Sequence, residues 1–250
     1  MLSRILRYAV DADILVKRPK MELFKVGEAD VDFLDFDEYQ QLFEANREEP
    51  ELHAAILLGG DAALRRGEIL GLDRNDVDQR TRRISIKRAV WNGIVTLPKS
   101  GRGRTLPMTE RLARALSDIR HLRGPRVFCR EDGSGWTLEV VRAAVGRATK
   151  RAGLREIGWH TLRHTFCSHI AMRGVSAKAI QELAGHTDLK TTQRYMHLAP
   201  RVLEDAISAL ELPAPWQKRG KDPTGGNVVK MEKPGTIADS GLSESDPIGT

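Results

Sequence analysis

A mainly α-helical α+β fold with a small three-stranded antiparallel sheet is what this sequence predicts. Apolar residues recur at helical spacing through most of residues 33–212. Three short runs rich in Ile, Val and Thr, "RRISIKRAV", "GIVTLPK" and "RTLPM", are separated by "WNG" and "SGRG" and read as an antiparallel meander. Aromatic residues are only 5% of the chain, which argues against a β-sandwich, while 40% hydrophobic residues suffice for a sizeable core.

The elements follow in order. Residues 1–18 form an amphipathic helix with Leu2, Ile5, Leu6 and Val10 on one face, and Pro19 ends it. Residues 20–32 read as a linker. Asp35 and Glu38 make a capping box for the next helix. "ELHAAILLGGDAALRRGEILGL" reads as an apolar helix, a Gly-Gly break and a second helix. After the meander come helices over "TERLARALSDIRHLR", "TLEVVRAAVGRATKRAG", "TLRHTFCSHIAMRG", "SAKAIQELAGH", "LKTTQRYMHL" and "PRVLEDAISALEL". Residues 213–250, rich in Pro, Gly, Ser and Thr without periodicity, read as a disordered tail.

The formal net charge is +6. The tail carries Lys218, Arg219, Lys221, Lys230 and Lys233 against Asp222, Glu232, Asp239, Glu244 and Asp246, so the whole excess lies on residues 1–212. Such a balance suits a polyanion, most commonly nucleic acid, and also fits an ordinary basic enzyme. Cys129 and Cys167 form no CxxC, so there is no disulfide framework, and a reducing cytoplasm is expected. No apolar run approaches the ~18 residues of a membrane-spanning helix, and the N-terminus lacks the pattern of a signal peptide.

Four stretches carry chemistry. In "LRRGEILGL", Arg65 and Glu68 share a helical face, either as a surface ion pair or as a guanidinium held near a core for a task. In "LPKSGRGRTLPM", Lys99 sits in a Gly-rich loop, as a solvated turn or as a cation that swings into a groove. In "GWHTLRHTFCSHI", His160 and Arg163 share a face. His160 and His164 have a zinc-compatible spacing, but no glutamate lies between them, and His164 and His169 read as packing or polar support. In "GHTDLKTTQRYMHLAP", Tyr195 stands in a helix among His186, Arg194 and His197, a cationic setting for a phenol.

Together, Arg65-x-x-Glu68, Lys99, His160-x-x-Arg163, His186 and Tyr195 nine residues later resemble the tyrosine recombinase (phage integrase) family over roughly residues 30–212. The resemblance implies a helical DNA breaking-rejoining catalytic domain over 33–212. It also implies a homotetramer acting on synapsed double-stranded DNA, and no cofactor or metal. Tyr195 would be the nucleophile and would form a 3′-phosphotyrosyl link. Arg65, Arg163 and His186 would bind the phosphate, His160 would act as base and Lys99 as acid, with Glu68 orienting Arg65. Residues 1–19 would be a remnant helix of the family's DNA-clamping N-terminal domain, which makes a truncated chain that binds DNA only weakly the alternative expectation. Residues 200–212 would dock on a neighbouring subunit or pack on their own core. Rival readings are a type IB topoisomerase-like relaxase, a non-catalytic DNA-binding module, and a zinc hydrolase built on His160 and His164.

Overall fold

The structure, a computed structural model, describes residues 2–20, 31–99, 101–199 and 207–208. Backbone contacts divide the chain into Met1–Pro200 and Arg201–Thr250, and everything described below lies in the first unit.

Helix α1 (Leu2–Asp11) buries none of its residues. It ends seven residues before the expected boundary, in a turn where Asp13 takes a left-handed conformation (φ 55°). Helix α2 (Phe36–Ala45) starts as the capping box predicts: Glu38 N donates to Asp35 Oδ1 at 2.7 Å and Asp35 N to Glu38 Oε2 at 3.0 Å. Helix α3 (Pro50–Gly60) differs from expectation, because the Gly-Gly pair closes the helix from within rather than breaking it. A Cβ on Gly59 would come within 2.9 Å of Leu162 Cβ, and one on Gly60 would overlap the Tyr39 ring. The two glycines therefore let α3 pack closely on its neighbours. Asp61 then caps the helix and accepts hydrogen bonds from Tyr39 and Thr109 at 2.8 Å and from Arg111.

The next helix, α4 (Arg66–Leu70), has only five residues, and a 3-10 turn follows at Arg74–Asp76. The strands are β1 (Val77–Asp78), β2 (Arg83–Ile86), β3 (Ala89–Trp91), β4 (Ile94–Thr96) and β5 (Arg104–Pro107). A three-stranded antiparallel sheet is present, but its order is β1-β2-β5, with Ile84 opposite Val77 and Leu106. The β3–β4 pair is a separate ribbon inserted between β2 and β5. The run expected to be one strand, residues 82–90, breaks at Lys87 and Arg88, which are drawn to Asp76 and Asp73. Beyond the break, the ribbon lies on α4: a Cβ at Gly67 would stand 2.8 Å from Val90 O.

The remaining helices match their predicted stretches, with shorter ends except that α7 starts two residues before its stretch: α5 (Glu110–Asp118), α6 (Leu138–Arg151), α7 (Trp159–Met172), α8 (Ala177–Ala184) and α9 (Leu189–Gln193). Thr109, Thr137 and Ser176 cap α5, α6 and α8 through their hydroxyls. Past α9 the expected helix stops. Tyr195 sits between it and a 3-10 turn at Met196–Leu198. The expected linker residues 21–30, the tail from 213 and all of the 200–212 stretch except 207–208 lie outside the described residues.

The main core gathers α2–α7 and the three-stranded sheet around Leu57, Leu58, Ile84, Phe128 and Leu162. A second, smaller core joins Phe166, Cys167 and Ala171 of α7 to Ile180 and Ala184 of α8, together with Ala63 and Tyr195. Helix α7 belongs to both. Its polar residues hold the incoming chain: Leu34 N donates to Thr165 Oγ1 at 3.0 Å, and His169 Nε2 meets Leu34 O at 2.9 Å.

Two glycines test this packing. Gly67→Ala should destabilise the chain because its methyl meets a backbone oxygen. Gly146→Ala, in α6 with open space around it, should stabilise by about 0.5–1 kcal/mol. Urea unfolding of the two variants should move in opposite directions.

Candidate active site

The site begins with one buried carboxylate. Glu68 is 1% exposed and occupies the third position of α4, with Arg65 as the helix N-cap residue. Arg65 N donates to Glu68 Oε2 and Arg65 Nη1 to Oε1, both at 2.9 Å. Arg104 of β5 adds two further bonds of 2.9 Å, one to each oxygen. Burial pushes the Glu68 pKa up, but the Arg104 hydrogen bonds and charge, followed by Arg65, outweigh it, and the net shift is downward. The pair is therefore no surface ion pair.

Both arginines also grip the end of α8. Arg65 Nη2 donates to Gly185 O at 2.8 Å and Arg104 Nε to Leu183 O at 3.2 Å. Gly185 closes α8 in the left-handed conformation (φ 66°), and a Cβ there would meet Arg104 Nη1 at 2.9 Å. This turn delivers His186 to the site. Its Nδ1 lies 2.9 Å from Thr192 Oγ1, and Thr192 is fully buried. A hydroxyl that donates to Nδ1 leaves the ring proton on Nε2, the form that can donate to an anion. Burial, followed by Arg163 and Arg65, holds the His186 pKa down at about 3.

Arg163 is 2% exposed. Its Nη1 donates to Ala63 O at 2.5 Å, while the buried Nη2 has no hydrogen-bond partner. Ala63 itself has φ 53°, a strained position for a residue with a Cβ. Burial and neighbouring Arg65 lower the Arg163 pKa to about 10, so it stays charged at neutral pH. A buried cation with an open donor is costly unless an anion completes it.

His160, exposed on the first turn of α7, lines a groove of about 660 Å³ with Arg65, Arg66, Lys99 and Trp91. Lys99, exposed in a turn between β4 and β5, two strands of different sheets, lines this groove. Partial desolvation, then Arg163, Arg65 and Lys99, lowers the His160 pKa.

Tyr195 is not among cations alone. Its ring is 2% exposed in the second core. Only its hydroxyl reaches polar groups, and it lies 2.5 Å from His164 Nδ1. The His160 ring stands 4.5 Å from His164, edge-on. The histidine on the phenol is therefore His164, four residues after the one expected to act as base. The Cys167 thiol also interacts with the hydroxyl, and burial pushes its pKa up to about 11. Burial, then Cys167, raises the Tyr195 pKa well above that of an ordinary phenol. His186 lies parallel to the Tyr195 ring, with centroids 6.3 Å apart. Arg194 and His197 are exposed.

All six expected positions thus converge, with Glu68 beneath them. Arg104, Cys167 and Ala63 were not singled out from the sequence, and His164 was read there as packing or polar support. The alternating burial of β5 (Arg104 inward with Leu106) carried the signal for Arg104. Cys167 follows Arg163 at helical spacing, and His164 follows His160 in the same way. Nothing in the sequence marks Ala63. Among the described residues, no group of three or more His, Cys, Asp or Glu side chains is arranged to hold a metal ion.

Removing Arg104 (Arg104→Leu) leaves a buried carboxylate with one cation fewer, and urea unfolding should show a loss of about 3 kcal/mol. The pH dependence has a definite sign. His53, His160, His164, His169 and His186 all have folded pKa values below that of a free imidazole. The unfolded chain therefore binds more protons below pH ~6.5. The stability they contribute is complete above that pH and is lost as pH falls towards 4 and 3. The Tm of the DNA-free chain should fall steadily from pH 7 to pH 4.

Known proteins resemble this chain in sequence and in fold. A sequence model of the Phage integrase family matches residues 32–201. A tyrosine recombinase of Thermosipho africanus is 31% identical over 183 residues, 72% of this chain and 62% of the relative. The integrase of Escherichia phage 186 is 29% identical over 75% of this chain and 50% of its own length. The chain therefore spans 50–62% of these relatives. Among solved structures, the Tn1549 transposon integrase in complex with a circular intermediate DNA superposes with a TM-score of 0.66 at 22% identity, covering 82% of this chain and 74% of that one. The catalytic domain of bacteriophage HP1 integrase gives 0.56 at 23% identity, covering 74% of this chain and 99% of that one. These two likenesses establish the fold. With the family match extending across the whole site, from Asp32 to beyond Tyr195, this chain belongs to the phage integrase family.

Proposed function

We propose that this chain is the catalytic part of a site-specific DNA recombinase that cuts and rejoins strands through a covalent 3′-phosphotyrosyl intermediate. The observation that carries the reading is the buried, unpaired Nη2 of Arg163 beside a tyrosine whose hydroxyl alone leaves the core. A phosphodiester oxygen supplies the acceptor that this nitrogen lacks. The names of the relatives, recombinases and integrases, and the DNA bound by the Tn1549 integrase point the same way.

In this reading Tyr195 Oη attacks phosphorus and the 5′-oxygen leaves. Charge grows on the non-bridging oxygens, where Arg65, Arg163 and the Nε2 proton of His186 stabilise it. A guanidinium suits this task because it stays charged and donates in a planar fork. One such donor is commonly worth ~2.7–4 kcal/mol of barrier. Their charge does the work that a divalent cation does at other phosphoryl sites. Lys99, on the groove wall, protonates the leaving 5′-oxygen. His160, which lines the same groove as Lys99, contributes a further donor to the phosphate. Energy is kept in the phosphotyrosyl bond until a second 5′-hydroxyl attacks it, so no nucleotide is consumed. The resemblance extends the proposal to a homotetramer on two synapsed duplexes.

A pool of nicked duplexes with a randomised centre tests this without a known site. The nick lets the short 5′-product diffuse away and traps the adduct. The unaltered chain should give a band that survives denaturation and is sensitive to protease. Tyr195→Phe should abolish it, and an adduct persisting in that variant overturns the proposal.

A further inference from the structure

We propose that His164 is a catalytic residue, the group that takes the Tyr195 hydroxyl proton as the oxygen attacks phosphorus. The inference rests on the proposed strand-cleavage reaction. It follows from what surrounds the phenol. His164 Nδ1 is 2.5 Å from Tyr195 Oη. The other candidates fail on geometry or chemistry. His160 is against the His164 ring, not the phenol. His186 lies parallel to the Tyr195 ring and its Nδ1 is engaged by Thr192. Cys167 touches the hydroxyl, but burial keeps its thiol protonated, so it offers no vacant site for a proton. Arg163 and Arg194 act on the phenol as charges and have no acceptor atom.

His164 has the form the task needs. Burial, followed by His160, Arg194 and Arg163, lowers its pKa to about 4, so the ring is neutral with a free lone pair at neutral pH. Since Tyr195 holds its proton tightly, complete transfer before attack is unfavourable. Transfer must accompany bond formation, because an oxygen bonded to phosphorus no longer retains the proton. The step balances as follows. The Oη–H bond breaks and Nδ1 gains the proton. The Oη–P bond forms, the P–O5′ bond breaks, and the 5′-oxygen takes a proton from Lys99. In rejoining, the attacking 5′-hydroxyl gives its proton to the neutral Lys99 as the O5′–P bond forms and the P–Oη bond breaks, and the imidazolium returns its proton to the departing phenol oxygen. Two neighbouring residues of α7 thereby divide the work: Arg163 binds the phosphate and His164 handles the nucleophile.

The test measures adduct formation in single turnover on the randomised nicked pool, using the full chain. His164→Ala and His164→Asn are each prepared with tyrosine or 3-fluorotyrosine at position 195, and with melting curves recorded. With tyrosine, both variants should react about 10²–10⁴-fold more slowly at pH 7. The more acidic fluorinated phenol, which needs less help from a base, should recover at least about tenfold in the variants and much less in the unaltered chain. An unchanged rate, or a defect of equal size with both phenols, overturns the proposal and leaves His164 as packing. A second measurement needs no variant of His164. In the DNA-free chain at pH 7, the ¹⁵N shift of its Nδ1 should be that of an unprotonated acceptor and should move in Tyr195→Phe. A protonated Nδ1 overturns the proposal. If the unaltered chain forms no adduct at all, the strand-cleavage reading falls and this inference falls with it.

Discussion

The site depends on one carboxylate. Glu68 takes hydrogen bonds from its own helix cap, Arg65, and from the sheet, Arg104. Both arginines pass on to the carbonyls that end α8. Three elements remote in sequence are joined at a point 1% exposed. A buried carboxylate is tolerated because it accepts three hydrogen bonds from two guanidiniums and a fourth from the Arg65 backbone N–H. In return it fixes the plane of Arg65 and the start of the turn that delivers His186.

Small residues permit this junction. Gly67 and Gly71 bring α4 against the backbone of the β3–β4 ribbon, and Gly185 leaves room for the Arg104 guanidinium. In each case the obstacle to a side chain is a group belonging to the site or its support. The ribbon, held against α4 in this way, leads into the turn that carries Lys99 to the groove. Close packing and the placement of the candidate acid are therefore one constraint.

A second division separates ring from hydroxyl at Tyr195. The ring belongs to the small core between α7 and α8, and the oxygen belongs to the histidine–arginine cluster. Helix α7 serves both sides: Phe166, Cys167 and Ala171 pack, while His160, Arg163 and His164 face the chemistry. The buried Arg163 is satisfied in part by the carbonyl of Ala63, a residue in a strained left-handed conformation. Backbone strain there serves to direct an acceptor at a cation.

The sequence by itself determined the helical fold class and the capping of α2, because these rest on local periodicity and on cap residues, and it pointed to the six positions that meet in the site through their resemblance, in order and spacing, to the family's pattern. It left open whether Arg65–Glu68 was a surface pair, and it placed Tyr195 inside a helix. Tertiary structure decided both. Glu68 became a buried hub only when Arg104 arrived from β5, a partner 36 residues away. The Gly-Gly pair, a break by local preference, became a packing surface once Leu162 and Tyr39 lay against it. The strand expected over residues 82–90 split because Asp73 and Asp76 drew Lys87 and Arg88 aside. Which histidine meets the phenol also had to wait for the fold. His160 and His164 share a helix face, and a one-turn difference is settled only by where α9 and the following turn set Tyr195. Local rules fix which side chains are present and roughly how each segment folds. Contacts between distant segments fix which of those side chains touch.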